Sequence, residues 1–217
     1  MKIFPLNGAL AKLLIPQFIR WGVSANEITA CSLLAGLAGA VAFIGGAQQG
    51  MIAGALWFFA ANLLDECDGA VARANGTSSG WGSWFDTLVG CAVHAAFFAS
   101  LGYGLSRQTS EARWVLLGAL MGVSVVIATA AYIAGQGFFR GKRGWLHPDP
   151  PRTDKPGQME RVKGALRTDF SLVVLLASVA GALRWLLWGG LLGTFLFWIP
   201  FDFLSAARLR RQGPAGR

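Results

Sequence analysis

Apolar positions in this chain come in long runs separated by short polar breaks. One run covers about residues 27–46, a second about 51–73, a third about 81–104 and a fourth about 113–135. Each is long enough to cross the roughly 30 Å hydrocarbon core of a bilayer, which takes about 20 helical residues. A polar stretch from Gln136 to Thr168, rich in Pro, Gly and basic residues, follows. Residues 170–207 are then almost wholly apolar, interrupted by Arg184. That length predicts two short spans turning near Arg184 or at Gly189-Gly190. Residues 5–22 pattern differently: Leu10, Leu13, Leu14, Phe18 and Ile19 alternate at helical spacing with Lys12 and Arg20, as in an interfacial helix. "SANEITA" then signals a helix start, with Ser24 or Asn26 as the cap.

The predicted fold is therefore all-α: a polytopic membrane bundle of six transmembrane helices plus an N-terminal amphipathic interfacial helix. We read 1–217 as a single domain, with the interfacial helix at 1–22, the six-span bundle at 27–207 and a cytoplasmic tail at 208–217. No internal repeat is visible. The first 22 residues lack the compact apolar core and small-residue cleavage site of a signal peptide.

Composition agrees with the pattern. Charged residues make up 14% and hydrophobic ones 54%, whereas a soluble domain carries about 25% charged residues. The net charge of +8 could suit nucleic acid, but the basic residues lie in the loops of a membrane protein. Topology and anionic lipid headgroups account for them, so membrane lipids are expected partners and nucleic acid is not. With the N-terminus inside, 16 of the 19 basic residues fall on the cytoplasmic side, leaving Arg107, Arg113 and Arg184 outside. The expected location is the cell (inner) membrane, multi-pass, with both termini in the cytoplasm.

Cys31, Cys67 and Cys91 lie in apolar segments without metal or disulfide spacing, and read as inert buried thiols. Small residues are frequent. Gly118/Gly122 and Ala35/Gly39 are each four apart. Such pairs either pack helices closely within one subunit or form a dimer face.

Between two of the apolar runs lies "DECDGAVARANGTSSGWGSWFDTLVG", Asp65 to Gly90. Asp65 and Asp68 are three apart and share a helix face; Gly82 and Asp86, four apart on the next helix, share another. Two antiparallel helices joined by a short loop bring the three carboxylates together at the cytoplasmic boundary. Hard oxygen ligands of this kind suit Mg²⁺, Mn²⁺ or Ca²⁺. The other reading of these acids is solvated interfacial carboxylates paired with Arg73. An ion or proton transporter would instead place acids near the midplane and show inverted repeats, and neither is present.

This stretch resembles the signature of the CDP-alcohol phosphotransferase family, D-x2-D-G-x2-A-R-x8-G-x3-D-x3-D. Asp65, Asp68, Gly69, Ala72, Arg73, Gly82 and Asp86 match, seven of eight fixed positions with every spacing intact. "SANEIT" before the first span is similar to a Ser-Pro-Asn-x-x-Thr-like segment of family members. The resemblance implies metal-dependent transfer of a substituted phosphate, such as a phosphatidyl group, from a CDP-alcohol donor to an alcohol, with release of CMP. CDP-diacylglycerol is a donor of that class. It implies Mg²⁺ or Mn²⁺ held by Asp65, Asp68 and Asp86, and a donor-nucleotide pocket of Asp68, Gly69, Ala72, Arg73 and Gly82. It also implies an active site open to the cytoplasm, a place in phospholipid biosynthesis and a homodimer.

The eighth position departs from the family. Gly90 stands where the pattern has an aspartate, the expected general base for the acceptor hydroxyl. Loss of such a base typically costs about 10²–10⁴-fold. His94, one turn further on the same face, is a substitute candidate or else a packed polar residue. The acceptor or a bound water could also bring its own base. Alternatively, the protein is a pseudoenzyme that binds CDP-alcohol or lipid without transfer. Arg161, Lys163 and Arg167, in the basic loop before the fifth span, could contact an acceptor phosphate or simply serve as positive-inside charge.

Overall fold

The computed structural model describes residues 6–140 and 170–193. Seven helices are present among them: α1 Leu6–Arg20, α2 Ala25–Ile44, α3 Gln48–Ala74, α4 Gly80–Thr109, α5 Arg113–Arg140, α6 Phe170–Val179 and α7 Leu183–Gly193. Arg161, Lys163, Arg167, the tail 208–217 and most of the last expected span lie outside the described residues.

The molecule is a helical membrane bundle. Among the described residues, three segments are long and apolar enough to cross a bilayer: Ala25–Ile44, Gly80–Thr109 and Arg113–Ala134, with mean hydropathy 1.8, 1.6 and 2.1. α3 is 27 residues long, about 40 Å, but its C-terminal third carries the acids and is less apolar. Leu34, Leu37 and Val41 on α2, and Leu116, Leu120, Val123 and Ile127 on α5, are exposed at helical spacing. Outward apolar stripes suit lipid, where they cost nothing.

Local chemistry explains the ends. Ser24, not Asn26, caps α2: its Oγ accepts from Glu27 N at 3.3 Å, while Glu27 Oε2 accepts from Ser24 N at 2.8 Å. This reciprocal box satisfies two donors that a helix N-terminus otherwise leaves open. The break between α6 and α7 falls at Gly181, whose φ of +66° belongs to the left-handed region. Gly189 and Gly190, one of the two expected turn sites, lie inside α7 instead. A Gly pair alone does not stop a helix whose flanking apolar residues pack.

α2 packs along α3, α4 lies against α2 and α5, and α6 and α7 close the other side. The core is aromatic: Phe58 stacks on Phe97 at 4.1 Å, and Phe43 meets Phe97 edge-on at 5.5 Å. Both small-residue pairs are used within the chain. A Cβ on Gly118 would lie 2.5 Å from Phe98 O and 2.8 Å from Gly102 Cα, so α4 and α5 meet backbone to backbone. A Cβ on Gly39 would lie 2.9 Å from Gly54 O on α3, and Ala35 is buried. Neither pair is open as a dimer face.

α1 also departs from the expected single apolar stripe. Leu14 and Phe18 pack inward with Ala11, against Ile28, Cys67 and Val71. Leu13 and Ile19 face outward, with Leu13 70% exposed. The helix is apolar on two sides, one for the bundle and one for lipid. Asn7 Nδ2 donates to Ser171 Oγ at 2.9 Å, which ties α1 to α6. Of the thiols, Cys67 is buried and Cys91 half-buried, but Cys31 is exposed on α2.

Candidate functional site

The last turns of α3 and the first turns of α4 are joined by residues 75–79, where Gly76 takes φ +65°. The chain reverses over these five residues, and Thr77 N donates to Ala72 O at 2.9 Å to close the end of α3. Ser79 Oγ accepts from Gly82 N at 3.0 Å and opens α4. The reversal sets Asp65 and Asp68 opposite Asp86. One carboxylate oxygen from each lies within 4.8 Å of the others, the convergence expected from the spacing.

Two ionised carboxylates at that separation repel by roughly 3 kcal/mol at an effective dielectric near 20. Three together therefore favour a cation among them. All the donors are hard oxygens, which fits Mg²⁺ or Mn²⁺ and not a thiolate-seeking metal. Asp68 is only 4% exposed, and Asp65 and Asp86 are more open, so the cluster has a buried floor and an accessible rim. Burial of a carboxylate needs a hydrogen-bonding partner. Thr29 supplies it: its Oγ1 lies 2.5 Å from Asp68 Oδ2, within reach also of Ala25 O at 3.0 Å.

Thr29 had no assigned role in the sequence, although it closes the "SANEIT" segment. A second contribution comes from the same turn of α2. A Cβ on Gly82 would lie 3.5 Å from Asn26 Oδ1 and 3.2 Å from Ser79 Oγ. Asn26, expected only as a possible cap, thus borders Gly82. Arg73 folds back over Gly69, where a Cβ would lie 3.2 Å from its Nη1. Gly69, Ala72 and Arg73 follow Asp68 on the last turns of α3. The whole matched motif is gathered at one end of the bundle.

Gly90 lies one turn beyond Asp86 on α4, and a Cβ there would meet nothing within 4 Å. The position is open, and the aspartate's place has not been filled by packing. His94 Nδ1 lies 2.8 Å from Gly90 O. A carbonyl only accepts, so Nδ1 carries the hydrogen and Nε2 is the acceptor nitrogen of the neutral ring. The ring packs edge-on against Phe58 at 5.3 Å. His94 is about 12 Å along the helix from Asp86 and does not join the carboxylate cluster.

A sequence model for the family described as CDP-alcohol phosphatidyltransferase matches residues 22–196, which include every residue of this site. No curated protein matches the chain.

Proposed function

The chain belongs to the CDP-alcohol phosphatidyltransferase family, a family of transferases, and we propose that it carries out metal-dependent transfer of a substituted phosphate from a CDP-alcohol to an alcohol. The observation that carries this reading is the convergence of Asp65, Asp68 and Asp86 within 4.8 Å. In our reading Mg²⁺ or Mn²⁺ is held by these three carboxylates, and when bound it offsets negative charge on the phosphates and on departing CMP. Gly69 and Gly82 keep the floor of the donor pocket close to the backbone. Arg73 offers a charge-assisted contact to a phosphate oxygen.

In the transfer, the acceptor hydroxyl oxygen forms a bond to the phosphorus that carries the donor alcohol. The bond from that phosphorus to CMP breaks, and the hydroxyl proton passes to a base. Gly90 cannot accept that proton. We assign the role to His94 Nε2 or to a basic group of the acceptor itself, and the open space at Gly90 leaves room for either. Arg161, Lys163 and Arg167 are proposed contacts for an acceptor phosphate. The donor is taken as CDP-diacylglycerol and the setting as a six-span, single-domain inner-membrane homodimer in phospholipid biosynthesis, with site and termini cytoplasmic.

The deciding experiment incubates purified protein with CDP-diacylglycerol, Mn²⁺ and a panel of alcohols, including glycerol phosphate and inositol phosphate, and measures CMP. Metal-dependent CMP release with at least one alcohol supports the reading. The missing carboxylate at Gly90 favours a second one, a pseudoenzyme that binds the donor without transfer. Tight CDP-diacylglycerol binding with no CMP for any acceptor would select it.

A further inference from the structure

A cleft lies at the end of the bundle away from the carboxylates. It has a volume of about 420 Å³ and is bordered by Glu111, Arg113, Trp114, Arg184, Trp185 and Trp188. Thr109, which also borders it, ends α4, whereas Asp86 lies near the start of that helix. The intervening helix rises about 35 Å at 1.5 Å per residue. The cleft is therefore separated from the carboxylates by about the thickness of a bilayer core.

Its charge is unbalanced. Glu111 is engaged through one carboxylate oxygen: Arg113 Nη2 lies 2.5 Å and Arg113 Nε 2.6 Å from its Oε2, and Trp114 Nε1 donates to the same oxygen at 3.0 Å. Arg184 has no carboxylate partner among the described residues. Its guanidinium lies over the neighbouring Trp185 ring at 5.8 Å. Arg184 is also the only charged residue between Asp169 and Asp202. A guanidinium without a carboxylate partner at the end of so apolar a segment ordinarily finds an anion. Two arginines against one glutamate leave the cleft with one net positive charge.

Its apolar border continues along α7. Trp185, Trp188 and Leu192 lie on one face of α7 and are 67%, 39% and 56% exposed. They run from the cleft along the outside of the bundle at i, i+3, i+7 spacing. Tryptophan favours headgroup depth, where one edge is wet and the other apolar. A guanidinium binds a phosphate through two parallel hydrogen bonds. From this arrangement we infer that the cleft binds the phosphate diester of an anionic membrane lipid, with Arg184 on the phosphate and an acyl chain along Trp185, Trp188 and Leu192. The occupant is a lipid and not a free anion, because the apolar track gives a free anion nothing. The inference does not rest on the transferase reading.

The test compares wild type with Arg184→Gln in neutral detergent. Native mass spectrometry counts bound phosphatidylglycerol or phosphatidylcholine, with inorganic phosphate as competitor. Only the Arg184-dependent part is read, so anionic lipid held elsewhere on this basic chain cancels. Arg184 is exposed, so Arg184→Gln should keep the wild-type helical content and lipid-free melting point. Phosphatidylglycerol affinity should fall about tenfold, the weight of a charge-assisted contact, while phosphatidylcholine binding stays level. Arg184→Lys should fall between them. If Arg184→Gln fails to fold, Trp188→Ala is read in its place and should also lower retention. Equal phosphatidylglycerol binding in wild type and variant would overturn the proposal. So would displacement of the lipid by millimolar inorganic phosphate, which would assign the cleft to a free anion.

Discussion

Thr29 on α2 and Asp68 on α3 meet at 2.5 Å in a buried contact, Oγ1 to Oδ2. The pair fastens the floor of the carboxylate cluster to a helix outside the motif. Valine at position 29 keeps the shape and removes the hydroxyl. Thr29→Val should lower stability by about 1–3 kcal/mol and weaken Mn²⁺ binding, because the Asp68 rotamer loses its anchor. Thr29→Ser should restore both. A melting point and Mn²⁺ affinity for Thr29→Val equal to wild type would show that the contact carries neither role.

Asp68→Asn should reduce Mn²⁺ affinity by at least about tenfold, because charge count and ligand number set the affinity of oxygen sites. Asp86→Asn on the facing helix should do the same. Calorimetric titration reads both. Unchanged affinity in either variant removes that residue from the metal site.

Gly90→Asp should be well tolerated, since a Cβ there meets nothing within 4 Å. It places a carboxylate one turn from Asp86 on the same face. If base catalysis is the main deficit, CMP release should rise by about 10²-fold or more. If wild type already turns over briskly, His94→Ala is the informative variant and should slow it by a similar factor. No gain from Gly90→Asp in an inactive background, with every acceptor tried, would favour the binding-only reading.

Gly118→Leu should destabilise the chain by about 1–3 kcal/mol, the usual range for overpacking, because α4 and α5 cannot separate without opening the Phe98 and Leu101 layer. Melting and expression level report this. A variant that melts like wild type but loses self-association would assign Gly118 to a dimer face instead.

For topology, single cysteines introduced at Lys155 and at Arg107 in a cysteine-free background should behave oppositely. An impermeant thiol reagent applied to intact cells should label Arg107→Cys and spare Lys155→Cys. Labelling of Lys155→Cys would reverse the orientation and with it the cytoplasmic site.

The sequence alone determined the class of the fold, because a bilayer admits few solutions. Long apolar runs must satisfy their backbone internally, so they become helices, and their lengths mark the spans. It also determined the carboxylate site, because Asp65, Asp68 and Asp86 lie on two adjacent helices with a short reversal, and helical periodicity alone sets which side chains share a face. Non-local relations were not legible. Thr29 reaches Asp68 across 39 positions of sequence, and nothing in the periodicity of α2 marks it as a partner. The stripe on α1 divided because residues of equal apolarity serve equally well against protein or lipid, so hydropathy does not say which way Leu13 or Leu14 turns. The small-residue pairs likewise fit an internal or an external neighbour, and only the approach of α4 to α5 and of α2 to α3 decided for the internal one. The far cleft needed three helix ends to meet. Its residues are scattered from Thr109 to Trp188, and packing, not spacing, left Arg184 there beside three tryptophans with Glu111 already engaged by Arg113.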